Sequence, residues 1–206
     1  MIRLLLLMLV GSGFWFLFVF FAQLSEMRIF LVIFLLWATS IGSSSDGVEL
    51  IDEHVEKETY CLAQNIYFEA STQPTAGKIA VGLVVLNRLL DTRYPNTVCD
   101  VVYEGPVVES WKTQAKDIPD EERIYIPIRH MCQFSWYCDG KSDQTQEHEN
   151  WYKSQSIAVQ LMEGRYKGLV EGATHYHATW VRPSWAKSLT YIGQIGDHLF
   201  YKWENK

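Results

Sequence analysis

The sequence contains no excess of basic residues, no internal repeat and no low-complexity tract. Its 206 residues include 18 Lys and Arg against 24 Asp and Glu, which gives a formal net charge of -6. Because surfaces that bind nucleic acid depend on clustered positive charge, this balance argues against a nucleic-acid partner. The length allows one domain with a substantial core and an N-terminal extension.

The N-terminal extension is almost wholly apolar and contains two separate runs. Residues 4–24 have about the length needed to cross a bilayer, whereas residues 29–38 are as short as the apolar part of a signal peptide. Either the first run is a membrane anchor, or translation starts at Met27 and the second run is an export signal with Ala38 and Ser40 placed for cleavage. Both alternatives export the remaining chain to the periplasm or cell envelope, in the first case tethered to the inner membrane.

The chain therefore divides into three predicted parts. Residues 1–41 are the hydrophobic anchor or signal peptide, residues 42–57 a linker, and residues 58–206 the globular domain. Gly and Ser dominate residues 42–47, which is typical of a flexible connection, and the acidic residues 48–57 show no clear fold signal.

Four cysteines lie in the exported part: Cys61, Cys99, Cys132 and Cys138. An even number in an oxidising compartment favours two disulfides, and we expect the first two to pair with each other and the last two to close a short loop. Structural zinc is an alternative, but the cysteines do not show the two-residue spacing of most zinc ligands. Reduced, buried thiols are a third alternative, and a reduced Cys132 would be needed for a cysteine peptidase.

Apolar residues at helical spacing predict three main helices, at 59–70, at 75–90 after Pro74, and at 151–163 with Asn150 as the cap. Residues 97–103 read as one or two helical turns, and residues 105–129 as a polar loop or hairpin. Near the C-terminus, residues 174–181 and 198–203 alternate as strands do, with Gly193 and Gly196 in their connection. The pattern predicts an α+β domain, mostly helical, with a small antiparallel β element.

Glu69 is a single acid in an apolar and aromatic run, next to Tyr67 and Phe68. If that face is buried, desolvation raises the pKa of the carboxyl group and keeps it protonated near neutral pH. Its predicted place in the last turn of a helix acts in the same direction, because the helix dipole disfavours negative charge there. Such a group can serve as a general acid.

Six stretches of the chain resemble the SleB-type cell-wall hydrolases, the family of the spore-cortex-lytic enzymes, and they occur in that family's order. They are AQNIYFEA at 63–70, GKIAVGLVVLNR at 77–88, YPNTVCDVV at 94–102, CQFSW at 132–136, ATHYH at 173–177 and GDHLFY at 196–201. Together they extend over nearly everything from residue 60 to 201.

The resemblance implies a lysozyme-like catalytic domain that cuts peptidoglycan between N-acetylmuramic acid and N-acetylglucosamine. Glu69 matches the family's catalytic glutamate, and the reaction implied is that of a lytic transglycosylase, which needs no metal or organic cofactor. Gln133, Phe134 and Ser135 match an element that we expect to line the glycan cleft. The alternative is a buried turn, with Phe134 as a core residue. By their proximity to the motifs, Trp136 and Trp180 are expected to line the cleft as well.

The histidine-rich strand supplies the remaining candidates for substrate binding. Alternation places Thr174 and Tyr176 on one face of the strand and His175 and His177 on the other, and His198 lies on the neighbouring strand. The three histidines with Glu69 could instead form a zinc site, which would indicate an amidase, although the segment around Glu69 contains no His-Glu-x-x-His pattern. A catalytically silent peptidoglycan-binding protein is a further alternative.

Overall fold

The structure, a computed structural model, describes residues 45–146 and 148–204. It divides the chain into two compact units, residues 1–52 and residues 53–206. The predicted anchor, signal peptide and cleavage site at 1–41 lie outside the described residues. Among the helices that the structure describes, none combines the length and apolar character needed to cross a bilayer.

Helix α1, Ser45–Ala70, begins well before the predicted start at Thr59. Residues 45–57 of the predicted linker are therefore helical. Apolar spacing did not predict this part of the helix because the segment is rich in acidic residues, although acids are favourable near a helix N-terminus. Further along α1, Leu62, Ile66 and Ala70 are buried at four-residue spacing, as expected for a core-facing stripe.

Helix α2, Thr75–Leu89, confirms the second predicted helix and lies at the centre of the core. Residues 77–85 are all buried, so this helix is covered on every side and not along a single stripe. Gly82 allows the close contact with its neighbours, since a Cβ there would lie 2.5 Å from Leu161 Cδ1 and 3.0 Å from Ile66 Cδ1. Leu161 belongs to helix α5, Glu149–Met162.

The N-cap of α5 is His148, whose Nδ1 accepts from the backbone N–H of Asn150 at 3.1 Å. The prediction of Asn150 as the cap was wrong by two positions, because a histidine ring took the role that Asn and Ser usually have. Gly164, with φ of 80°, follows the helix and ends it as predicted.

A short helix α3, Val98–Val102, precedes an extended hairpin. The hairpin contains strand β1, Val107–Glu109, helix α4, Trp111–Gln114, a 3₁₀ turn at Asp120–Glu122, and strand β2, Tyr125–Pro127, which pairs antiparallel with β1. Its two ends meet where the Gln133 N–H donates to the Glu104 carbonyl at 2.8 Å. The hairpin thus projects from the domain, and its two ends lie side by side.

Both predicted disulfides are present in the structure, Cys61 with Cys99 and Cys132 with Cys138. The first ties α1 to α3. The second closes a tight loop around the 3₁₀ helix Ser135–Cys138 at the base of the hairpin.

The C-terminal sheet has three strands in the order β3-β5-β4: β3 is His175–Ala178, β4 Thr190–Ile195 and β5 His198–Lys202. The predicted antiparallel pairing of residues 174–181 with residues 198–203 is confirmed as the pair β3 and β5, with Tyr176 opposite Phe200. The predicted connection was wrong in part, because Gly193 lies inside β4, next to a register shift. A 3₁₀ helix at Ser184–Ser188 lies between β3 and β4.

Candidate active site

Glu69 lies in the last turn of α1 and is half-buried. The Tyr176 hydroxyl of strand β3 donates to its Oε2 at 2.9 Å. Burial raises the pKa of Glu69 above its ordinary value of 4.5, while the hydrogen bond from Tyr176 and the positive charge of Arg88 hold the rise down. The side chain is therefore a carboxyl group that can hold a proton yet still gives it up.

The helix end that carries Glu69 is fixed by a buried lysine of α2. The Lys78 ammonium group donates to the Ala70 carbonyl at 2.7 Å and also to the Ser71 carbonyl. These carbonyls belong to the C-terminus of α1, where the helix supplies no donors of its own. Lys78 is 2% exposed, and desolvation lowers its pKa.

Two aromatic rings of the adjacent strand pack against Tyr176 and fix its position. Its ring lies 5.0 Å from the His198 ring and 5.7 Å from the Phe200 ring, both on the adjacent strand. Burial, and then the nearby charge of Glu69, raise the pKa of Tyr176 well above 10, so its hydroxyl remains a hydrogen-bond donor. The phenol thus orients the carboxyl group without competing for its proton.

His175 and His177 lie on the face of β3 opposite Tyr176. His177 Nε2 is 3.1 Å from the Tyr201 hydroxyl and Nδ1 is 2.8 Å from the Ala178 carbonyl, so neither nitrogen is free. The His175 ring packs against Trp185 at 5.2 Å, and burial, with the charges of Arg88 and Arg93, lowers its pKa to about 4.

Thr174 is buried, and its hydroxyl is 3.0 Å from His175 Nδ1. The polar atoms of Thr174 and His177 therefore already have protein partners, and contact of either residue with substrate stays a prediction. Within the described ranges, no three His, Cys, Asp or Glu side chains converge as a metal site.

His198 lies on the same face as Tyr176. Its side chain is 8% exposed, no residue that the structure describes bonds its Nδ1, and burial lowers its pKa, with the charge of Asp197 opposing. Histidine is consequently neutral here, with one buried nitrogen still able to bond a group that the structure does not contain.

The Gln133 to Ser135 element lies beside Arg88. Gln133 and Ser135 are exposed, whereas Phe134 is 3% exposed and packs 5.1 Å from the Arg88 guanidinium. Of the two alternatives for Phe134, the structure has its ring in the core, and contact of this element with glycan stays a prediction. Trp136 is also a core residue, stacked 4.6 Å from Phe68 and bonded to Asn65, whereas Trp180 is 73% exposed.

Sequence reasoning missed two buried cations, Lys78 and Arg88. Both lie inside the apolar helix α2, where an unpaired charge would be costly, and that contrast is a signal the sequence does offer. The same argument applies to Asn87, whose amide donates to the Val170 and Ala173 carbonyls at 3.1 and 2.9 Å.

Two pockets of the described residues, of about 510 and 540 Å³, do not include Glu69 in their lining. The first lies between α1 and α5, beside Tyr60, Ala63 and Val159. The second lies on the His177 face of the sheet, beside Arg182 and Lys187.

Comparison with known proteins gives partial but consistent matches. A spore cortex-lytic enzyme of Bacillus cereus is 31% identical over 58 residues, 28% of this chain and 22% of that protein. The spore cortex-lytic enzyme of Bacillus subtilis strain 168 is 44% identical over 43 residues, 21% of this chain and 14% of that protein. The matched stretches thus span less than a quarter of either relative.

Among solved structures, the catalytic domain of the Bacillus cereus SleB protein aligns with 71% of this chain and 91% of its own, at 22% identity and a TM-score of 0.48. The profile of the Cell Wall Hydrolase family matches residues 72–201. Glu69 lies just before this stretch, while Gln133, Tyr176 and His198 lie within it. Because the match covers more than half of the chain, the protein belongs to the Cell Wall Hydrolase family of enzymes.

Proposed function

We propose that this enzyme cleaves the glycan strands of peptidoglycan between N-acetylmuramic acid and N-acetylglucosamine, as a lytic transglycosylase with Glu69 as its catalytic acid and base. One observation carries the proposal: a half-buried carboxyl group of raised pKa, fixed at a helix end by a tyrosine that stays protonated. Family membership supports peptidoglycan as the substrate. The similarity to spore cortex-lytic enzymes supports lysis of the wall.

The reaction needs one group that gives a proton and takes it back. Protonated Glu69 donates its proton to the glycosidic oxygen as the bond to the muramyl anomeric carbon breaks. The muramyl C6 hydroxyl then attacks that carbon, and the Glu69 carboxylate accepts the hydroxyl proton. The products are a 1,6-anhydromuramic acid end and a free N-acetylglucosamine end, with Glu69 restored.

Tyr176 contributes by holding Oε2 of Glu69 from the protein side, which leaves the other carboxyl oxygen for the substrate. Its hydrogen bond is strongest to the carboxylate, so it also stabilises the form that follows proton donation. We assign Gln133, Ser135 and His198 to substrate contact. Export to the cell envelope, and tethering through residues 1–41, are part of the same proposal, because the substrate lies outside the cytoplasm.

The test is incubation of the full-length protein, purified in detergent, with isolated sacculi, followed by mass spectrometry of the released fragments. We expect anhydromuropeptides from the wild type and none from Glu69→Gln. Glu163→Gln is the matched control, since Glu163 is an exposed partner of Arg165 and its change should leave the products unaltered. Reducing-end muropeptides would indicate hydrolysis, and free stem peptides an amidase. Binding without turnover would refute the enzyme proposal.

A further inference from the structure

We propose that Arg88 is a positioning residue of this site, which holds the Gln133 amide with its N–H groups facing outward and sets the charge environment of Glu69. The inference rests on the proposed function, and it adds a residue to which neither the family match nor the sequence motifs give a role.

Arg88 forms hydrogen bonds through all three nitrogens of its guanidinium group. The side chain is 3% exposed, and Nε donates to the Thr174 carbonyl at 2.8 Å. Nη1 and Nη2 lie 3.0 and 2.8 Å from the oxygen of the Gln133 amide, in the orientation that its neighbours require. The Tyr94 and Phe134 rings lie 5.2 and 5.1 Å away. A planar guanidinium bonded through all three nitrogens has little freedom to move, so it can serve as a template for its neighbours.

The consequence for Gln133 is a fixed direction of its amide. Since Gln133 is exposed and its oxygen faces Arg88, the amide NH₂ group points to the surface. Its backbone is held as well, because the Gln133 N–H donates to the Glu104 carbonyl at 2.8 Å. An oriented pair of N–H donors suits a carbonyl oxygen, and the acetamido group of an amino sugar presents one.

The second consequence is electrostatic. The ionisable groups that face the Arg88 charge come from four parts of the fold: Glu69 on α1, Tyr94 after α2, Glu104 after α3, and His175 and Tyr176 on β3. Burial lowers the pKa of Arg88, but the surrounding acids oppose this and the group stays cationic. Its charge in turn lowers the pKa of Glu69, against the effect of burial.

Glu104 strengthens the view that the cluster faces a ligand. Its Oε2 is buried and, within the described part of the chain, has no hydrogen-bond donor. A buried carboxylate oxygen without a donor costs free energy unless something completes it. A substrate hydroxyl or N–H bound beside Gln133 would supply that donor.

Substitution separates the two roles, because lysine keeps the charge of Arg88 but not its planar fork. With Arg88→Lys we expect KM for solubilised glycan strands to rise about tenfold, the loss of one well-oriented hydrogen bond, with the pH profile unchanged. With Arg88→Met we expect the same rise in KM and, in addition, an alkaline limb of the kcat profile at higher pH, because Glu69 then keeps its proton longer.

Arg165→Lys and Arg165→Met are the matched controls, since Arg165 is an exposed arginine that pairs with Glu163. They should change neither KM nor the pH profile. Should an Arg88 variant fail to fold, Gln133→Glu decides the question. It preserves an acceptor for the guanidinium, so the protein should fold, but it removes the outward N–H donors and neutralises Arg88. We expect a raised KM and an alkaline limb at higher pH.

An NMR measurement tests the positioning without turnover. In the wild type the two side-chain N–H signals of Gln133 should differ from those of a free glutamine, and in Arg88→Lys they should collapse toward free values. The proposal is overturned if Arg88→Lys keeps the KM and these signals, or if Gln133→Glu behaves as the wild type. Absence of anhydromuropeptides from the wild type would instead refute the proposed function, whatever the amide signals show.

Discussion

The two disulfides close loops of very different length, which predicts unequal contributions to stability. Cys61 and Cys99 are 38 residues apart, and Cys132 and Cys138 are 6 apart. On the chain-entropy account, a cross-link stabilises a fold by restricting the unfolded chain, by about 4 kcal/mol for the longer loop and about 2 kcal/mol for the shorter. The difference between them, about 1.6 kcal/mol, depends only on the ratio of the loop lengths.

The experiment replaces each pair with alanine, as Cys61→Ala/Cys99→Ala and as Cys132→Ala/Cys138→Ala, and measures urea unfolding of the full-length protein by circular dichroism. Comparing the two double variants reduces the effect of lost sulfur packing, because three of the four cysteines are buried and the fourth is half-buried. The first variant should lose more of the free energy of unfolding. Equal losses, or a larger loss for the short loop, would show that the entropic reasoning does not hold for this fold.

Three further predictions concern the site and the core. Glu69→Gln should be more stable than the wild type at pH 7 but not below pH 4.5. The raised pKa of Glu69 means that the wild type loses stability as pH rises from about 4.5 through the folded-state pKa, and thermal unfolding across this range checks it. Tyr176→Phe should lower kcat about tenfold, as expected for loss of a hydrogen bond to a charged group, and move the alkaline limb of the pH profile upward; an unchanged profile would contradict the assignment. Gly82→Ala should destabilise the fold by about 1–3 kcal/mol, because the new Cβ meets buried Leu161 and Ile66, and a higher melting temperature would contradict this.

The sequence predicted the elements whose signal is local. Helix α2 was located within one residue because its apolar run follows Pro74 directly. The pairing of β3 with β5 followed from alternation, and that alternation also placed Tyr176 on the opposite face from His175 and His177. In each case the pattern that drives burial is written in consecutive residues.

What the sequence did not reveal depends on tertiary contacts. Strand β4 shows no alternation because its residues are mostly exposed, and Gly193 within it resembled a turn. Proximity in sequence misplaced Trp136, whose indole is buried against Asn65 and Phe68. The role of Arg88 was visible only once Gln133 and Thr174, distant in sequence, were found on the same guanidinium.

The contact between Lys78 and the end of α1 links the position of Glu69 to the position of Arg88. Lys78 and Arg88 belong to the same helix, so the acid at the end of α1 and the cation that tunes it share one rigid frame. Adjustment to a bound sugar must then come from the other side, from the sheet and the exposed glutamine segment. Substitutions that weaken the hydrogen bonds of the Lys78 ammonium group should therefore displace both Glu69 and Arg88, even though Lys78 itself does not contact the sugar.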